Sequence, residues 1–268
     1  MLCISYLPQQ QYVFYSTTTH KSSIFLNFFH IIFHATIITM NNTFLKRPYI
    51  NITNENGRII GNGANQGWFS NSPWFNVSGQ GCGIISALDT LFYIRGDRII
   101  TKADYQQAIL DFAKSIVFTK LFMHEFFGKF AIGLTPLQIT GFLKKKLGKS
   151  YSVTYNGRYG HEDMLTKMEN QLQADLPVIW SLYRPRKRIT LYTYKSVPGE
   201  YIPTTTTNSH YVNAIAVIHD AAPNHKTMIK ISSWGKIYFI DYDEYLAYTG
   251  SSIISAVTSN IFLIKKLQ

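Results

Sequence analysis

The segment Leu176-Pro177-Val178 splits this chain by period. Before it, apolar residues recur at the three-and-four spacing of helices, and after it come short β-branched and aromatic runs. The spacing predicts a helix from Cys82 to near Gly96, carrying Ile84, Ile85, Leu88, Leu91 and Phe92 on one face. A second helix opens on Thr101 with Asp104 three residues on, a pattern similar to a capping box. A third is punctuated by Thr135-Pro136-Leu137-Gln138 at its start and Gly148 at its stop, and a fourth covers Glu162 to Leu172. Strands are predicted at 178–183, 189–194, 210–218, 228–231, 237–240 and 261–264. Helices first and strands second define an α+β protein, with a helical lobe packed on an antiparallel sheet lobe and a cleft between them.

Residues 41–81, rich in Asn, Gly and Trp, read as an irregular lead-in, and 41–268 as one domain. Residues 1–40 differ from the rest: they hold one lysine, Lys21, no arginine and no acid, with an apolar stretch over 24–40 interrupted by Asn27, His30 and His34. The stretch is short for a spanning helix and fits a secretory signal poorly. We expect the native start at Met40, with the preceding residues extraneous, disordered or an apolar segment. That start favours the cytoplasm, whereas a real 24–40 segment favours a membrane-anchored or exported protein. Two cysteines, Cys3 and Cys82, make no disulfide framework.

Chemistry concentrates at Cys82, in Ser78-Gly79-Gln80-Gly81-Cys82-Gly83 at the predicted helix start. A thiol attacks as thiolate, and a helix N-terminus, with its unpaired N–H groups and positive dipole end, is expected to lower the thiol's pKa. The same amides face a developing oxyanion. His210, opening a predicted strand, supplies a candidate base. The clusters His161-Glu162-Asp163 and His219-Asp220 lack the ligand spacing of a zinc site, and neither a metal nor a cofactor is expected. Ser86 and Ser232 lack the elbow motif of a serine nucleophile.

Lys and Arg number 26 against 15 Asp and Glu, a formal charge of +11 that favours anionic partners. The cations cluster at Lys144-Lys145-Lys146, Arg184-Pro185-Arg186-Lys187-Arg188 and Lys265-Lys266, without a nucleic-acid motif around them. The triplet reads as a solvated helix end, and the arginine-rich stretch as a solvated loop or one steering an acidic substrate.

Gly-x-Gly-Cys-Gly at a helix start, Ser209-His210-Tyr211-Val212 and Ser232-Ser233-Trp234-Gly235, in that order, resemble the papain-like cysteine peptidases. The Leu172-Gln173-Ala174-Asp175-Leu176-Pro177-Val178-Ile179 segment is more similar to the bacterial peptidases that process bacteriocin leaders. The 128 residues from Cys82 to His210 match the papain-type nucleophile-to-base spacing of about 130. The resemblance implies a papain-like fold over roughly 70–250 and a cofactor-free, monomeric thiol hydrolase. It would cleave a peptide or protein substrate through an acyl-enzyme on Cys82, with His210 as base. Ser232 stands where the family places the asparagine that orients the histidine, so Ser232, a backbone carbonyl, Asp220 or Asp241 is the expected orienter. Trp234 would shield that bond. The family's oxyanion glutamine, six residues before its nucleophile, falls on Asn76, while Gln80 lies two residues before Cys82; either amide is a candidate donor. The same Cys–His pair serves an amidase or acyltransferase, and a silent papain-fold module binding an anionic partner is the rival from another class.

Overall fold

The computed structural model describes residues 42–268, apart from 71–75, 116–132, 158–159 and the positions 185, 222, 225, 251 and 268. The expectations for residues 1–40 lie outside the described residues.

The lead-in is more ordered than its composition predicts. β1 (Thr43–Phe44), β2 (Asn51–Thr53) and β3 (Ile59–Asn62) precede the cysteine, and β2 pairs antiparallel with β3 and parallel with β4 (Ile99–Thr101). Strands this short leave no readable alternation, and the partners of β1 and β2 lie far along the chain. Next come α1 (Val77–Gln80) and α2 (Cys82–Arg95), which ends on Gly96 at φ 95° with its N–H on the Phe92 and Tyr93 carbonyls. Residues Gly83 to Leu91 of α2 are all buried, so this is a central helix without a solvent face along most of its length. It packs on α3 (Lys102–Ser115), α4 (Pro136–Leu147) and the sheet behind it.

Local capping sets the ends of α3 and α4. Asp104 N–H donates to Thr101 Oγ1 at 3.1 Å, and the Thr101 hydroxyl donates back to the Asp104 carboxylate at 2.7 Å. At α4, Thr135 and Gln138 close a capping box with Pro136 at the first helical position. Lys144, Lys145 and Lys146 occupy the exposed last turn, where cations complement the helix dipole. β5 (Tyr151–Tyr155) and α5 (Met164–Gln173) follow, α5 burying Met164, Met168 and Leu172.

The second half is sheet. β6 (Val178–Tyr183), β7 (Ile189–Lys195), β8 (Glu200–Thr207), β9 (Ser209–Ala221), β10 (Lys226–Ser233) and β11 (Lys236–Asp241) join β1 in a seven-stranded sheet of order β1-β9-β10-β11-β7-β8, with β6 also on β9. Every pairing in it is antiparallel. β8, outside the strands predicted from the sequence, is an edge strand whose Pro203 lies opposite Tyr192. A proline is tolerated there because the outer side of an edge strand needs no ladder donor. α6 (Tyr242–Thr249) and α7 (Ile253–Thr258) lead to β12 (Phe262–Lys266), the antiparallel partner of β5.

Two principal cores result. One surrounds α2 with Ile52, Ile84, Leu88, Ile109, Phe112 and Ile139, and the other lies on the large sheet with Trp180, Val212, Ile229, Ile231 and Tyr245. Each such buried side chain contributes about 1.5–3 kcal/mol. The architecture is α+β, helices in the first half and a large antiparallel sheet in the second. Among the described residues no helix is long and apolar enough to cross a membrane.

Candidate functional site

Cys82 begins α2 at a joint between two helices. Gly81 N–H still bonds the Val77 carbonyl at 2.8 Å while its own carbonyl accepts from Ile85 N–H at 2.9 Å, so the thiol stands on the first turn of a buried helix. Gly83 faces inward: a β-carbon there would lie 3.1–3.2 Å from Ile139, Leu134 and the Tyr211 ring. The glycine is therefore what lets α2 approach the start of β9, the strand that carries His210.

One small cleft joins the two halves of the chain, lined by Cys82, Ile85, Ser86 and Asp89 from α2 and by His210, Ser232 and Trp234 from the sheet side. Cys82 is partly exposed, whereas His210 is buried. Burial pushes the Cys82 thiol up, and the main-chain amides of Tyr211, Gly83 and Cys82 itself pull the other way without overcoming it. The expected lowering by the helix start is thus outweighed by desolvation in a densely packed site. Burial also pushes the His210 imidazole down to about 3. Both groups are uncharged at neutral pH.

The orientation of His210 is set by the turn after β10. Its Nε2 lies 2.7 Å from Ser233 Oγ, and its ring stacks on the Trp234 indole, centroids 4.4 Å apart at 21°. The hydroxyl that reaches the imidazole is therefore that of Ser233 and not the expected Ser232. Successive residues of a strand point to opposite faces, and Ser232 Oγ instead donates to the Asn62 carbonyl at 2.8 Å. Asp241 is likewise engaged elsewhere, capping α6 and pairing with Lys226, and Asp220 lies at the far end of β9.

Neither expected oxyanion amide is among the residues lining the cleft. Asn76 Oδ1 caps α1, accepting from Gly79 N–H at 2.9 Å and Ser78 Oγ at 3.1 Å, and Gln80 sits at the end of that helix. The amide in the cleft is Gln66, held on a single 3₁₀ turn, Gln66–Trp68, that Asn65 caps. Gln66 Nε2 donates to the Ser78 carbonyl at 3.0 Å, leaving a second N–H on that nitrogen. Gln66 lies sixteen residues before Cys82, well outside the six-residue spacing of the family's oxyanion glutamine.

Asp89, two turns along α2 from Cys82, is the second residue that the sequence left unremarked. It is 2 % exposed, accepts from Tyr105 OH at 2.6 Å, Ala64 N–H at 3.3 Å and Tyr49 OH at 3.5 Å, and is pushed up to about 7 by burial. Its hydrogen-bonding partners are all neutral at neutral pH. Gly63, at φ 77°, passes so close that a β-carbon would sit 2.6 Å from Asp89 Oδ2 and 2.3 Å from Ser232 Oγ. Asn213 of β9 extends the network, donating to Tyr49 OH at 2.8 Å and to the Ser86 carbonyl at 3.1 Å.

Among the described residues no group of three His, Cys, Asp or Glu side chains is arranged to hold a metal. His161 Nε2 contacts the Ser259 carbonyl at 2.8 Å, and His219 Nε2 contacts Glu169 at 2.5 Å. Comparisons with protein-family models, curated proteins and solved structures return no match. Chemically, a thiol and a neutral, oriented imidazole line one cleft, with a spare amide N–H on Gln66.

Proposed function

We propose that this chain is a papain-like thiol hydrolase that cleaves a peptide or related amide bond through an acyl-enzyme on Cys82. One observation carries the reading: Cys82 from the first helix of the core and His210 from the sheet line the same cleft, the imidazole fixed by Ser233 beneath Trp234. With Nε2 held by Ser233, Nδ1 is the nitrogen left to take the proton. The starting pair is neutral, so the proton leaves Sγ for His210 as sulfur attacks the carbonyl carbon. The oxyanion receives the Cys82 main-chain N–H and the free N–H of Gln66. Collapse breaks the C–N bond, the imidazolium gives its proton to the leaving amine, and a thioester remains. Water then attacks the thioester, losing its proton to His210; the C–S bond breaks, the imidazolium returns that proton to the sulfur, and the acid is released with the Cys82 thiol restored.

The test is burst acylation with a p-nitrophenyl ester, read by p-nitrophenolate release and by the mass of the Cys82 peptide. The wild type is expected to carry the acyl group on Cys82. Cys82→Ala should abolish the adduct, His210→Ala should slow it at least about a hundredfold, and Ser233→Ala should slow it about tenfold by freeing the ring. Equal acylation in wild type and His210→Ala defeats the reading. Adding an amine acceptor then separates hydrolysis from acyl transfer.

A further inference from the structure

We propose that α7 and the β6–β7 loop form a surface that docks on an anionic lipid bilayer, aliphatic side chains entering the acyl boundary and cations meeting the headgroups. The inference does not depend on the chemistry assigned to Cys82.

α7 turns its apolar side outward. Ile253, Ile254 and Val257 stand on one face at i, i+1 and i+4 and are 81 %, 68 % and 47 % exposed. A six-residue helix is too short to hold itself, and no apolar burial holds this one, since its buried residue is Ser255. Polar anchors on the inner side fix it. Arg184 Nη1 donates to Ser255 Oγ at 2.6 Å and to the Thr249 carbonyl, Ser181 Oγ donates to the Thr258 carbonyl at 2.7 Å, and Asn260 Nδ2 donates to the Ala256 carbonyl at 2.9 Å. The outward presentation of the isoleucines is thus built into the fold.

Arg184 also ties α7 to the basic loop. The exposed cations Arg186, Lys187 and Arg188 begin two residues after it, and exposed Tyr183 precedes it, its carbonyl accepting from Thr258 Oγ1 at 3.2 Å. Aliphatics beside a run of cations, on a chain of charge +11, match a partner that is apolar and anionic within a few ångströms. A bilayer bearing anionic lipid is such a partner. Nucleic acid would use the cations but leave the isoleucines in water, since bases stack on aromatic faces.

The experiment is co-sedimentation of the full chain with phosphatidylcholine vesicles, with and without phosphatidylserine. Binding is expected only with phosphatidylserine. Each cation near such a surface contributes roughly fivefold in affinity, so Arg186→Glu with Lys187→Glu should weaken binding at least about 25-fold. Ile253→Ser with Ile254→Ser should weaken it about tenfold or more at unchanged charge. Lys144→Glu with Lys145→Glu on α4 should change it far less. Equal binding to both vesicles, an equal loss in the α4 control, or no effect of the isoleucine substitutions each overturns the proposal. So does a sedimentation-velocity shift from dimer to monomer in the isoleucine variant, which assigns the face to a second copy. A short RNA whose binding needs the loop cations, with no vesicle binding, overturns it equally.

Discussion

Asp89 makes stability depend on pH in a direction opposite to that of most acidic residues. Its carboxyl is pushed from an ordinary 3.8 to about 7 by burial, so the native state holds a proton that the unfolded chain releases. Stability from this group is fully present below pH 4 and is lost as the pH climbs through 7. Linkage gives a loss of roughly 2–3 kcal/mol between pH 5 and pH 7.5 from this one residue. Asp89→Asn removes the titration. It keeps an acceptor for Tyr105 but turns an amide NH₂ toward the Ala64 N–H, leaving a buried clash of donors that costs about 1–3 kcal/mol at every pH. Urea unfolding of both proteins at several pH values is the assay. The margin of wild type over variant should shrink by roughly 2–3 kcal/mol from pH 5 to pH 7.5 and then level off. A margin that stays flat, or widens with pH, would mean that the carboxyl ionises at its ordinary value and that the desolvation argument is wrong.

Three further outcomes are expected. Gln66→Ala should lower turnover about 10²-fold or more with folding intact, whereas Asn76→Ala should leave turnover in place and cost about 1 kcal/mol through the lost α1 cap; steady-state kinetics beside urea unfolding separates the two. Alkylation of Cys82 by iodoacetamide should accelerate about tenfold per pH unit from pH 6 to pH 8, because burial pushes the thiol up and holds His210 neutral. A rate already high and flat at pH 6 would instead report a thiolate–imidazolium pair formed before substrate binds. Gly83→Ala should destabilise the fold by about 1–3 kcal/mol, since a β-carbon meets Leu134, Ile139 and Tyr211 at 3.1–3.2 Å; an unchanged Tm would show that α2 is not pressed against β9.

The helix boundaries were legible because their causes are local. Thr135, Pro136 and Gln138 satisfy the first N–H groups of α4 within four residues, and Gly96 closes α2 in a conformation that glycine adopts freely. The strands 178–183, 210–218, 228–231 and 237–240 were legible for the same reason, since their β-branched and aromatic side chains suit a pleated, buried surface. β8 was not, because Thr204 to Thr207 and Pro203 carry no alternation and its strand character rests on pairing with β7.

The chain order alone therefore determined an α+β layout, a thiol at a helix start and an imidazole at a strand start, each fixed by neighbours in sequence. Tertiary structure alone decided that Ser233 meets His210, that Gln66 enters the cleft while Asn76 caps a helix, and that Asp89 is buried beside them. The physical reason is that a side chain's direction depends on strand register, and its protonation on what packs around it, and both are set by segments distant along the chain.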